Sequence, residues 1–190
     1  LEKIWENNQK KDSQKKHVFF ICHSFQMMAR FFKFGDVTER DYKSFGVMPI
    51  QKTAEGEVDP LLKNLSNPYY AADIRRFQVL NPNKKVIDEL GAEVLSVEIV
   101  PPNESHPPAI MAMRVSNEIS GTQYHPEADP ESMLYHFMKE EEKQQIIATY
   151  GEERYNQMIE HLRDPDKIRL TRKTILPTFL RESIKSLTLN

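Results

Sequence analysis

The residues of this chain best suited to covalent chemistry are Cys22, His125 and Glu127. A cysteine attacks carbonyl carbon as the thiolate, an imidazole takes and returns the proton, and a carboxylate fixes the imidazole tautomer and stabilises its charged form. Cys22 is the only cysteine, so the chain holds no internal disulfide and no multi-cysteine metal site, and its thiol serves packing or reactivity. His125 and Glu127 stand two residues apart around Pro126. In an extended segment that spacing projects both side chains to one side, the arrangement of an orienting pair. Taken singly these signals are weak, because a free cysteine among phenylalanines is most often a small buried hydrophobe and His-Pro-Glu most often a turn.

The elements that must position these groups are read from hydrophobic period. Leu1, Ile4 and Trp5 have helical spacing in a polar stretch, which predicts a helix within residues 1–14. Val18–Ile21 is a continuous run of β-formers, the pattern of a strand buried on both faces in a parallel sheet, and Cys22 lies at its carboxyl end. Phe25, Met28, Ala29 and Phe32 then fall on one helical face, and Gly35 is placed to stop that helix. Met27, Met28, Phe31 and Phe32 form an apolar stripe read as core.

Between them and the histidine, residues 44–50, 59–62 and 69–83 read as short strands and turns, 92–100 as a strand, 101–108 as a proline-rich loop, and 109–115 and 119–124 as two more strands. The last strand ends at His125-Pro126-Glu127, where proline halts pairing. From Pro130 onward the sequence is charged and helix-forming, over 131–150 and 152–162, with Pro165 and Pro177 as breaks.

A length of 190 residues with 39% hydrophobic content suits one core with room for an appendage. A net charge of −2 and the absence of a basic stripe argue against nucleic acid or an anionic membrane as partner. No run approaches the roughly 20 apolar residues of a bilayer span, and the opening residues lack the apolar region of a secretory signal, so the expected location is cytoplasmic. His17, His106, His136 and His161 have no partners at metal-ligand spacing and read as surface or packing residues. No cofactor and no metal is expected.

One segment joins these separate signals. Gly121-Thr122-Gln123-Tyr124-His125-Pro126-Glu127 resembles the Gly-x-Gln-Phe-His-Pro-Glu signature of class I glutamine amidotransferases. Cys22-His23-Ser24-Phe25-Gln26 is similar to that family's nucleophile segment Cys-x-Gly-x-Gln, and it lies about one hundred residues upstream, in the family's order of Cys before His and Glu. Within the family, the chain resembles the stand-alone GMP-synthase-like amidotransferases. The resemblance implies Cys22 as nucleophile, His125 as general base and acid, and Glu127 as orienting carboxylate. It also implies His23, through its N–H, and Gln26 beside the bound glutamine.

The implied fold is α/β, a flavodoxin-like three-layer sandwich with a mixed, mostly parallel sheet. Residues 1–134 would form the amidotransferase domain and 135–190 a C-terminal helical extension. The implied reaction hydrolyses the glutamine side-chain amide through a Cys22 thioester, giving glutamate and ammonia for a synthetase partner, with self-association left open. Two rivals stand beside it: a hydrolase or acyltransferase acting on another γ-glutamyl or acyl substrate, and a catalytically weak regulatory or binding domain.

Three departures from the family pattern bear on that choice. Phe20 and Ser24 stand where the family has glycines flanking the nucleophile, which would tighten or rotate the turn. Family domains also begin with βα units ahead of the nucleophile strand, carrying a glycine-rich donor to the oxyanion. The resemblance therefore implies a further segment upstream of Leu1, with at least one buried strand and such a loop.

Overall fold

The computed structural model describes residues 1–100 and 106–188. Of the expected loop at 101–108, residues 101–105 lie outside the described residues. Helix α1 (Glu2–Gln9) leads to strand β1 (Val18–Ile21) and helix α2 (His23–Phe32). A long strand β2 (Asp36–Lys52), a short helix α3 (Ala54–Val58) and strand β3 (Tyr69–Leu80) follow. Helix α4 (Lys84–Leu90) then precedes β4 (Glu93–Glu98), β5 (Ile110–Arg114) and β6 (Ile119–Thr122). The chain ends in α5 (Pro130–Phe137), α6 (Glu140–Tyr150), α7 (Glu152–Arg163) and α8 (Ile168–Thr188).

The six strands form one mixed sheet in the order β1-β6-β5-β4-β2-β3. Only β1 and β6 run parallel, and the other four pairings are antiparallel, which corrects the expectation of a mostly parallel sheet. Connection length is one reason. Residues 115–118 join β5 to β6, and so short a link can only return the chain antiparallel, since a parallel crossover needs a dozen or more residues. The apolar run that suggested a parallel strand, Val18–Ile21, does pair in parallel with β6, and the apolar run at 109–115 has another origin. In β5, Ile110 and Met113 face one core while Met111 and Ala112 face another, so the strand is buried on both sides within an antiparallel ladder.

The sheet is curled, so that β3 at one end of the strand order returns to the end of β6. His125 pairs with Ala72 of β3 in an isolated bridge, and the Tyr69 and Tyr124 hydroxyls meet at 2.8 Å. Three cores follow from the curl. One lies inside it, around Ile50, Leu62, Tyr69, Leu95 and Met111, and receives Ile175 and Phe179 from α8. The second lies under α2, around Phe25, Met28, Phe34 and Met113. The third joins α5, α6 and α7 to Val47 and Ala72.

Helix α2 shows how much of its pattern the sequence carried. Phe25, Met28 and Ala29 are fully buried, yet Met27 and Phe31 are 58% and 39% exposed, because a 3.6-residue period puts positions 27 and 31 on the face opposite 25, 28 and 32. The four-residue stripe is thus core on one side only. The helix ends before Gly35, at Lys33, whose φ of 60° gives the left-handed cap. Gly35 answers to space instead, since a Cβ there would lie 2.8 Å from the Leu80 carbonyl oxygen.

Farther on, the expected helix over 131–150 is two helices, broken at Met138 and Lys139. Pro165 falls between α7 and α8 as expected, but Pro177 lies inside α8. Burial of Thr174, Ile175 and Phe179 holds α8 through a residue that removes one backbone donor. Among the described residues no helix is long and apolar enough to cross a membrane.

Candidate active site

The one parallel pair in the sheet is the pair that brings the two halves of the candidate site together. Val18 to Ile21 pair in register with Ile119 to Thr122, and the Cys22 N–H continues the ladder to the Thr122 carbonyl at 2.9 Å. Parallel strands deliver their carboxyl ends to the same edge, so Cys22 and the segment 123–127 emerge side by side. Gly121 allows this approach. It stands opposite Phe20, and a Cβ there would lie 2.7 Å from the Phe20 carbonyl oxygen and 2.9 Å from its Cβ.

Cys22 caps α2 with φ 52° and ψ −106°, a backbone conformation that non-glycine residues rarely adopt and that concentrates at functional sites. Ser24 holds the turn, accepting from the Ile21 N–H at 2.8 Å and donating to the Ile21 carbonyl at 2.9 Å. The substitution for a family glycine thus adds a clasp. Phe20 packs into the core under α2, beside Phe25. The half-buried Cys22 Sγ lies 3.9 Å from the carbonyl oxygen of Ile74 on β3.

His125 and Glu127 meet through Nδ1 and Oε1 at 2.7 Å. They do so across a turn, closed by the Ala128 N–H on the His125 carbonyl at 3.3 Å, rather than along an extended strand. The His125 N–H donates to the Ala72 carbonyl at 2.9 Å, which fixes the residue to β3. Hydrogen bonding to Cys22 and then to Glu127, against the opposing effect of burial, pushes the His125 pKa up to about 10. Burial draws the Glu127 carboxyl upward, but its hydrogen bond to His125 outweighs this and holds its pKa below the ordinary value. With Nδ1 on Glu127, Nε2 is the nitrogen left to exchange a proton with the Cys22 thiol.

The remaining sequence-named residues sit as follows. His23 is the first helical residue of α2, with an exposed side chain. Gln26 is 6% exposed, and its amide nitrogen donates to the Phe77 carbonyl and to Gln123 Oε1, both at 3.3 Å. Gln123 is fully buried, its N–H held by the Met111 carbonyl at 2.8 Å, and its side-chain nitrogen has no partner among the described residues. Ala72 and Ile74 carry no sequence signal, because they act through main-chain carbonyls that any residue would supply. Among the described residues no three His, Cys, Asp or Glu side chains could hold a metal ion.

No protein-family model matches the sequence, and no curated protein does. Solved structures do. The chain is similar to a glutamine amidotransferase (TM1158) from Thermotoga maritima, with a TM-score of 0.58 and 12% identity over 90% of this chain and 62% of that one. It is similar also to the protein SMU.1228c, with a TM-score of 0.55 and 17% identity over 90% of this chain and 63% of that one. The chain therefore spans less than two thirds of the length of either structure. At such identities the likeness is one of fold, and the fold is that of the class I glutamine amidotransferases.

Proposed function

We propose that this chain is a class I glutamine amidotransferase or glutaminase, with Cys22 as nucleophile, His125 as general base and acid, and Glu127 as its orienting carboxylate. The observation that carries the reading is the emergence of Cys22 and the His125–Glu127 pair at the same end of the parallel β1–β6 pair, with Cys22 in a strained strand-to-helix turn. Cys22 passes its proton to His125, and the thiolate attacks the side-chain carbonyl carbon of glutamine. The tetrahedral adduct collapses, the C–N bond breaks, and ammonia leaves with the proton from His125. Water then gives a proton to His125 and attacks the γ-glutamyl thioester, releasing glutamate and restoring the thiol. The N–H of His23, directly after the nucleophile, faces the developing oxyanion in this scheme.

In this reading residues 1–134 form the amidotransferase domain and 135–190 its helical extension, ammonia passes to a synthetase partner, and the reaction is cytoplasmic. A second reading keeps the triad but takes another γ-glutamyl or acyl substrate. It draws on Gln26, whose amide nitrogen is committed to Phe77 and Gln123 rather than open to a substrate. Incubation with glutamine and hydroxylamine separates the two. The first reading requires γ-glutamyl hydroxamate and glutamate from the parent and neither from Cys22→Ser. Product formed by Cys22→Ser at the parent rate would overturn both readings, and product absent from the parent while another acyl donor yields its hydroxamate would select the second.

A further inference from the structure

A cavity of about 570 Å³ opens between β2, β3 and the helices α6 and α7, lined by neither Cys22, His125 nor Glu127. Its inner wall is a buried charge cluster. Asp73 and Arg75 have side chains 2% and 0% exposed, and Arg40 and Glu98 are 8% and 14% exposed. Asp73 Oδ2 accepts from Ser44 Oγ at 2.7 Å and from Arg75 Nε at 2.9 Å. Glu98 Oε1 takes Arg40 Nη2 at 3.0 Å and Arg75 Nη2 at 2.9 Å, and Arg40 Nη1 donates to Gln78.

Four buried atoms of this cluster lack a hydrogen-bond partner among the described residues, Arg75 Nη1 and Nη2 among them, though Nη2 keeps its ion pair with Glu98. The other two, Asp73 Oδ1 and Arg40 Nε, belong to side chains that line the cavity. A buried carboxylate oxygen without a donor is costly, and a satisfied neighbour on the same group makes the vacancy specific to that oxygen.

The rim carries the complementary charge. Among the described residues Arg154 donates to the Phe45 carbonyl at 3.4 Å and to Met48 Sδ at 2.9 Å, neither of them charged. Lys43, exposed, also lines the rim. Gly46 pairs with Asp73 in register, and the Arg154 Nε and Nη2 atoms lie 3.9 Å from the point its Cβ would occupy, which puts this guanidinium against the stretch of β2 that pairs with Asp73. Met48, Tyr70, Met111 and Tyr150 supply an apolar wall.

We propose that this cavity binds an α-amino acid with an apolar side chain. Its carboxylate would pair with Arg154 and Lys43, its ammonium would donate to Asp73 Oδ1, and its side chain would lie on the methionine and tyrosine wall. A neutral ligand would bring Arg154 no charged partner, and an anion without an N–H donor would leave Asp73 Oδ1 unmet. The site is independent of the triad, so the chemistry assigned to Cys22 can fail without touching it.

Titration calorimetry on the full chain tests this with three matched probes: L-phenylalanine, 2-phenylethylamine, which lacks the carboxylate, and 3-phenylpropionate, which lacks the ammonium. L-phenylalanine is expected to bind saturably, and each truncated probe about ten-fold or more weaker. Cys22→Ser keeps that affinity, whereas Arg154→Gln, a change at the rim, loses about ten-fold. Asp73→Asn should lose as much. If that buried change fails to fold, the Arg154 variant and the amine-free probe decide the case. Equal binding of all three probes, no saturable binding of L-phenylalanine, or full affinity in folded Arg154→Gln would overturn the proposal.

Discussion

Gly121→Ala tests whether the spacing of β1 and β6 sets the geometry of the site. The new methyl would meet the Phe20 carbonyl oxygen at 2.7 Å, Phe20 Cβ at 2.9 Å and Phe25 Cδ2 at 3.0 Å. The first of these is main chain and cannot rotate away, so the two strands must part by some tenths of an ångström or Cys22 must move relative to His125. Overpacking of this kind costs about 1–3 kcal/mol, which in a chain of this size lowers the melting temperature by about 2–12 °C. The functional loss should be larger than the stability loss suggests, since a displacement near 1 Å in a reacting pair can cost about a hundred-fold in rate.

Thermal unfolding gives the first quantity, and the rate of Cys22 alkylation by iodoacetamide gives the second without presuming a substrate. Gly91→Ala is the control. Its φ of 62° makes alanine strained there, but nothing lies within 4 Å of the added methyl, so stability should fall by roughly 1 kcal/mol while Cys22 reactivity stays at the parent value. Should Gly121→Ala melt and react like the parent, the strand spacing would not govern the site and the argument from the parallel pair would fail.

Further outcomes follow from the hydrogen bonds at the site. Cys22→Ser should lower the His125 pKa from about 10, because the bond to Cys22 is its largest cause, and an NMR titration of the imidazole reads this directly; an unchanged value would separate the two residues. A raised folded-state pKa contributes stability that is fully present below the unfolded value near 6.5 and is lost as pH rises towards about 10. Denaturant unfolding of the parent should weaken across that window relative to His125→Asn, and parallel pH profiles would contradict the pairing. Glu127→Gln should reduce turnover much less than His125→Ala, and a larger loss for Glu127 would reverse their roles. Ser24→Ala removes both bonds to Ile21 and should cost about 1–3 kcal/mol in unfolding experiments, with no loss if the clasp contributes nothing.

Side-chain chemistry was the part of this site most legible in the sequence. The strand Val18–Ile21, the helix after it and the run from Gly121 to Glu127 all carry their patterns locally, through β-branched and aromatic content, a helical period and a rare heptapeptide. The curl of the sheet did not, because it depends on which strands pair at long range, and a doubly buried strand reads the same in a parallel sheet as inside a curl. The bridge from His125 to Ala72 and the approach of Ile74 to Cys22 were silent for a related reason: main-chain carbonyls leave no trace in residue type. Ser24 was read as a lost glycine, when its hydroxyl instead ties the turn to Ile21. Pro177 misled because a proline signals a break only where burial does not override it.

Strand β3 stands last in the strand order, and a terminal strand offers its free carbonyls to any neighbouring chain. Here they are taken up by the site itself: the Ala72 carbonyl by the His125 N–H, the Ile74 carbonyl by the Cys22 thiol and the Phe77 carbonyl by the Gln26 amide. The contacts that fix His125 and Cys22 against β3 therefore shield this strand from self-association. A change that frees the segment 123–128 from β3 would uncover a sticky edge, so poor solubility would accompany the displacement of His125.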